Sequence, residues 1–238
     1  MANLLQKNQN FGNQLLTALA QECPTVSAYV DQVQLAQGQV LHVVGQDIGY
    51  VYFPVSSIVA LECALEDGNS AEFALTGREG LVGISCFTGK GGATYSATVL
   101  CEGKAWRVPA RIMNALFEDN GRWRRRILHY MQALMTDAAQ KVVCIRRHSI
   151  EQQLCRTLLA CLDRKEQEPL VLTQELIART MGVRREAVTL AAQKLQAAGW
   201  IAYARGHITV IDRTGIEAQS CECYKIVSTA FNRLSVPL

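Results

Sequence analysis

Apolar positions along this 238-residue chain change their period twice, and each change marks a boundary. Leu15, Leu16 and Leu19 are spaced by three and four, which predicts a short helix within residues 13–30, before or around Pro24. From about Val33 to Val108 the helical period gives way to short β-type runs: 40–44, 50–53, 58–61, 72–75, 97–100 and 105–108. Gly38, Gly45, Gly49, Gly68, Gly77, Gly89 and Gly103 punctuate them. Many short strands separated by glycine turns predict an antiparallel sandwich, jelly roll or barrel.

After Pro109 almost everything to Ala198 has a helical period. Leu128, Met131, Met135, Ala138, Val142 and Ile145 follow one another at spacings of 3, 4, 3, 4 and 3, the alternation of a heptad seam. Two packings satisfy it: a dimer seam, or a helix lying on its own β domain. Arg122-Trp123-Arg124-Arg125-Arg126 opens this helix and reads as a solvated, positively charged face. A further helix starts at Ser149 and carries Ile150, Leu154, Leu158 and Leu162 inward.

Residues 172–195, LTQELIARTMGVRREAVTLAAQKL, carry the most information. Thr173 is a good helix N-cap, Leu176 and Ile177 face inward, and small Ala178 lets a second helix approach. Gly182 sits at a sharp turn and Val183 plugs the gap, while Val188, Ala191 and Leu195 supply the buried face of the next helix. Two short helices joined by a tight glycine turn predict a helix-turn-helix, whose second helix enters the major groove of DNA. Its exposed side carries Arg184, Arg185, Glu186, Thr189 and Gln193. Arginine grips guanine O6 and N7, and glutamate accepts from the cytosine amino group. Residues 202–210 then predict a hairpin turning at Arg205-Gly206, a wing whose Arg205 and His207 reach toward phosphate.

Charge sharpens this picture. Residues 1–110 hold five Lys and Arg against nine Asp and Glu, a balance of −4; residues 111–238 hold nineteen against twelve, a balance of +7. A basic half next to an acidic half points to a polyanionic partner. No apolar run reaches the length of a membrane span, and the N-terminal residues are too polar for a secretory signal, so a cytoplasmic protein without membrane contact is expected. The nine cysteines are odd in number, scattered, and contain no CxxC, which argues against a disulfide scaffold or a zinc ribbon. Cys63, Cys86, Cys101, Cys155 and Cys161 read as small buried hydrophobes. Cys221 and Cys223 place two thiols on a polar segment near the C-terminus, and no metal-ligand set is assigned to them.

A β domain, a long heptad helix and a winged helix-turn-helix, in this order and with this helix-turn-helix sequence, resemble the Crp/Fnr family of bacterial transcription regulators over nearly the whole chain. The resemblance implies an α+β protein. It would comprise an effector-sensing, cyclic-nucleotide-binding-like jelly roll at 1–110, a long dimerisation helix at 111–147 and a winged helix-turn-helix DNA-binding domain at 148–238. It further implies a homodimer on double-stranded DNA with a palindromic operator; RNA polymerase and a small-molecule effector are further partners to consider. Arg185 and Glu186 match the family's base-reading R-E pair, whereas Leu190 stands where the catabolite activator has an arginine, so a different operator is expected. In the sensor half, Ile84 and Tyr95 occupy the places of the ribose-binding Glu and the phosphate-binding Arg, beside Ser85 and Ser96. A buried phosphate without a cation is costly, so cAMP is not expected as effector. Only Cys23 stands where iron–sulfur members carry a cysteine group, so that cluster is not expected either, and no cofactor is assigned.

Two other classes compete with this reading. A nucleoid-type protein would bind DNA with little sequence preference. An enzyme on the β-roll, using Cys86 or His42, is disfavoured: the chain has no nucleophile elbow, no P-loop and no paired carboxylates at a defined spacing, and no catalytic residue is assigned.

Overall fold

A computed structural model describes residues 10–66, 70–89, 92–165, 172–204 and 207–235. The chain opens with helix α1 (Gln14–Glu22) and a 3₁₀ turn at Pro24–Tyr29. Seven strands follow: β1 (Asp31–Leu35), β2 (Val40–His42), β3 (Tyr50–Pro54), β4 (Ile58–Ala64), β5 (Ser70–Thr76), β6 (Ser96–Cys101) and β7 (Gly103–Pro109). They form two antiparallel sheets, in the orders β1-β7-β3 and β2-β6-β4-β5. Leu35, Val51, Phe53, Ala105 and Val108 of the first sheet share one core with Val59, Leu61, Ala74, Ala97 and Val99 of the second. This is the sandwich that the alternating runs predict.

Along β4 the period of two divides the side chains between two cores. Val59 and Leu61 point into the sandwich, whereas Ile58 and Ala60 point outward into a second core with Leu154, Leu158 and Leu159. The four-stranded sheet is therefore covered on both faces, the outer one by the C-terminal half of the chain.

The predicted long helix at 111–147 is two helices, α2 (Ala110–Asp119) and α3 (Gly121–Arg147). Asn120 leaves the helical conformation and its side chain caps α3 by accepting from the backbone N–H groups of Arg122 and Trp123. The reading of Arg122–Arg126 as a solvated face also needs correction. Trp123 is fully buried, and Arg126 pairs with Glu22 at 2.9 Å. Helix α3 thus anchors its first turns in the β core through Trp123, Ile127 and Tyr130, whose hydroxyl donates to Leu81 O at 3.0 Å.

The heptad seam lies on the other side of α3. Leu128, Met135, Val142 and Ile145 are exposed, Met131 and Ala138 half-buried. For those four exposed side chains the alternative of a helix lying on its own β domain fails.

Helix α4 (Ile150–Arg164) starts from a full capping box, Ser149 with Gln152. Helices α5 (Gln174–Met181) and α6 (Arg185–Ala197), strands β8 (Ile201–Ala204) and β9 (His207–Val210), and helices α7 (Arg213–Gln219) and α8 (Glu222–Asn232) complete the chain. The last helix returns along α3 to put Val227 and Phe231 into the β-domain core, with the Phe231 ring 6.2 Å from that of Tyr130. Two cysteine assignments change as well: Cys63 is exposed and Cys86 lies in a 3₁₀ turn (Ile84–Phe87), half-buried. Cys101, Cys155 and Cys161 are buried as expected.

Candidate nucleic-acid interface

The helix-turn-helix is built as its residue types require. The Thr173 side chain caps α5 by accepting from Leu176 N–H at 3.2 Å. Gly182 ends α5 in the left-handed region, at φ 67°, and its N–H donates back to the carbonyls of Ala178 and Arg179. A Cβ there would meet nothing within 4 Å, so the demand for glycine comes from the backbone conformation alone. Ile177, Ala178 and Met181 from α5 pack on Val188, Ala191 and Leu195 from α6. Polar Gln174, itself buried, accepts from the Thr189 hydroxyl at 2.8 Å and ties the two helices together.

This leaves one outward face. Arg184 at the N-cap of α6, then Arg185 and Glu186 in its first turn, are exposed. Among the described residues none of the three forms an ion pair. Leu190, 62% exposed, and Gln193 continue the stripe at helical spacing from Glu186. Thr189 is half-buried with its hydroxyl also 3.0 Å from Arg185 O, so it serves the motif's own packing. The hairpin predicted after α6 is present as β8 and β9, paired from Ile201–Val210 to Ala204–His207. Arg205 and the His207 side chain lie outside the described residues.

The helix-turn-helix is tied to the β domain by charge. Arg179 on α5 meets Glu62 of β4 at 3.1 Å. Lys141 of α3 pairs with Glu72 of β5 and also donates to Thr180 O of α5 at 3.0 Å, joining three elements. Buried Asp137 of α3 accepts from Arg156 at 2.6 Å and from Arg164 at 3.3 Å, and Arg164 also meets Glu79 at 3.1 Å. Burial pushes the Glu72 and Glu79 carboxyls up, against the pull of Lys141 and Arg164 respectively.

In the sensor half, Ile84, Ser85 and Tyr95 are buried and Ser96 half-buried. The Tyr95 ring lies 5.3 Å from that of Phe73 and 5.6 Å from His42, packed in the interior. Burial pushes its pKa above the ordinary range, against the pull of hydrogen bonds from Ile84 and Ser85. Desolvation likewise lowers the pKa of His42. Ser85, whose Oγ is 3.3 Å from Thr94 Oγ1, borders an open cleft shared with Asp47, Arg111 and Asn114.

A metal-ligand set, not assigned from linear spacing, is also present. Cys144 on α3, His148 at its C-cap, and Cys221 and Cys223 at the start of α8 bring three Sγ atoms and one imidazole nitrogen within 4.8 Å of one another. The two cysteines near the C-terminus are buried, not on a polar surface. They meet Cys144 and His148, more than 70 residues earlier, only because α8 packs along α3. The available signal is the i, i+4 spacing of Cys144 and His148 at the end of a predicted helix, which places both on one face.

Two family models match the chain: the cyclic nucleotide-binding domain at residues 32–120 and the Crp-like helix-turn-helix domain at 152–219. Among curated proteins none matches. Several solved structures share the fold. FixK2 from Bradyrhizobium japonicum is 14% identical with a TM-score of 0.67, over 81% of this chain and 98% of that one. A CRP/FNR-family transcriptional regulator from Thermus thermophilus is 18% identical with a TM-score of 0.63, over 80% and 98%. The c-di-GMP-responsive global regulator CLP from Xanthomonas campestris is 17% identical with a TM-score of 0.57, over 77% and 94%. No helix among the described residues is long and apolar enough to cross a membrane.

Proposed function

The chain belongs to the Crp/Fnr family of transcription regulators, and from that premise we propose that it acts as a cytoplasmic homodimer reading a palindromic operator. Catalysis has no part in this reading. The observation that carries it is the outward face of α6, where Arg184, Arg185 and Glu186 are exposed and engaged in no ion pair among the described residues. Arg185 and Glu186 read base edges, Arg184 reads a base or a phosphate, and the apolar Leu190 suits a thymine methyl group. In a two-fold dimer joined along the α3 seam, two such helices address half-sites about 34–36 Å apart. Contact with RNA polymerase would depend on where that operator lies.

The effector in this reading is not cAMP. Tyr95 supports this: its ring stands among Phe73 and His42, and neither it nor Ile84 offers a charge to a cyclic phosphate or a ribose. Any small-molecule effector is of another chemistry.

The test is selection of bound duplexes from a randomised pool, with and without cAMP and reductant, followed by titration of the winning sequence. A palindrome recovered independently of cAMP is expected, and Arg185→Ala, which removes one base contact of ~1–3 kcal/mol from each protomer, should weaken binding of the dimer about 30- to 20,000-fold. Weak, steeply salt-dependent binding with no enriched sequence would favour the nucleoid-type protein instead. Enrichment that requires cAMP would overturn the reading of Ile84 and Tyr95.

A further inference from the structure

We propose that Cys144, His148, Cys221 and Cys223 form a structural zinc site that clamps the C-terminal helix to the joint between α3 and α4. Cys144 Sγ lies 3.6 Å from Cys221 Sγ, and Cys223 Sγ lies 3.7 Å from His148 Nδ1. A tetrahedral zinc ion with Zn–S of about 2.3 Å and Zn–N of about 2.0–2.1 Å requires S···S near 3.8 Å and S···N near 3.6 Å. One S···S and one S···N pair stand near these spacings before any ion enters, and all four ligand atoms lie within 4.8 Å of one another. That compactness selects a single ion. An iron–sulfur cluster places its ligands on different irons, with bridging sulfides between, and would hold them farther apart. Three thiolates and one imidazole form a common closed donor set for structural zinc, leaving no open position for a substrate.

The surroundings of His148 favour the same assignment. Its Nε2 stands 3.4 Å from Glu222 Oε2, while Nδ1 faces the thiols. A proton held on Nε2 by the carboxylate leaves the Nδ1 lone pair for the metal, the carboxylate–histidine arrangement that orients zinc-bound imidazoles. Cys221 and Cys223 sit at the N-cap and second position of α8, so the first turn of one helix brings both thiols to Cys144 and His148. Zinc binding releases whatever protons the three thiols carry, with no change of oxidation state.

The location gives the site its consequence. Only His148 and Ser149 separate α3 from α4, so a metal bound to His148 acts at the covalent joint between the long helix and the DNA-binding domain.

Elemental analysis of the purified full-length protein should find about one zinc per chain. His148→Ala and Cys223→Ser should each lose most of it, while Cys63→Ser, a thiol exposed elsewhere, should keep it. Glu222→Gln should weaken zinc binding about 10- to 100-fold, as loss of such outer partners does. Cobalt titration of the metal-stripped wild type gives a readout free of folding artefacts in the variants: thiolate-to-cobalt charge-transfer bands and tetrahedral ligand-field bands, abolished by added zinc. Failure of the wild type to hold zinc or to give that cobalt spectrum overturns the proposal. So does full zinc retention by folded His148→Ala and Cys223→Ser, or stoichiometric iron with inorganic sulfide in place of zinc.

Discussion

Replacing Met135 by lysine tests whether the α3 seam is a dimer interface. Leu128, Met135, Val142 and Ile145 retain 52, 66, 57 and 52% of their exposure in the single chain. Complete burial of such a side chain contributes about 1.5–3 kcal/mol, so each has about 0.8–2 kcal/mol still to gain. Eight side chains across a two-fold seam then contribute about 6–16 kcal/mol, against an association cost of about 4–15 kcal/mol. A dimer held by this seam therefore depends on every member of it. Met135→Lys removes about 1–2 kcal/mol from each protomer, about 2–4 kcal/mol in the pair, and sets two like charges near the axis. The dimer should dissociate about 30- to 1,000-fold more readily. Sedimentation equilibrium should give the wild type twice the 26.2 kDa chain mass and the variant a monomer at micromolar concentration. Since Met135 is outside both cores, circular dichroism should not change. A monomeric wild type, or a variant that dimerises with unchanged affinity, refutes the seam.

Asp137→Ala leaves Arg156 and Arg164, both buried, short of their shared carboxylate, and urea denaturation should show a loss of about 3–5 kcal/mol; a loss below about 1 kcal/mol would mean that water replaces the pair. Gly182→Ala forces a side chain into the left-handed region without a clash, so its cost should stay near ~1–2 kcal/mol, and a larger loss in the same assay would reveal packing not visible at this turn. Desolvation lowers the His42 pKa below 6.5, so between the two values the unfolded chain binds the extra proton and stability falls as the solution is acidified below about pH 6.5. Glu72 and Glu79, raised by burial, act in the opposite sense in their own range. The readout is therefore the difference between wild type and His42→Leu over about pH 5–7, which should shrink toward acid pH; a difference independent of pH would count against a buried neutral imidazole.

Six of the seven sandwich strands are legible in the sequence because each alternates or runs apolar between turn glycines. The seventh, β1, is not: in Asp31-Gln-Val-Gln-Leu35 three of the five residues are polar and only Leu35 is buried. The break at Asn120 escapes the pattern although Asp119-Asn120-Gly121 carries a capping signal, because helical periodicity continues on both sides of it. The outward residues of α6 can be read directly from a local motif, whereas the engagement of Thr189 depends on Gln174, fifteen residues away. The metal-ligand set depends on α8 returning to α3, a tertiary event that spacing within either segment does not encode.

The packing between the halves bears on how such a regulator can be switched. In this conformation the outer face of the four-stranded sheet, including Ile58, Leu75 and Leu100, is buried under the DNA-binding half. Swinging that half away would expose this apolar surface and also break Arg179–Glu62, the Lys141 tie to Thr180, and the Asp137 network. An effector can move the recognition helices only by as much free energy as distinguishes its binding to the two arrangements. In the proposed reading, Tyr95 and Ile84 offer a ligand in the sandwich no charge with which to supply that difference. The joint at His148 and Ser149 is better placed. A metal gained or lost at Cys144 and His148 would act directly on the start of α4, whose later turns are held to α3 by the Asp137 network and to the sheet by Leu154, Leu158 and Leu159, so its free energy is set against those ties.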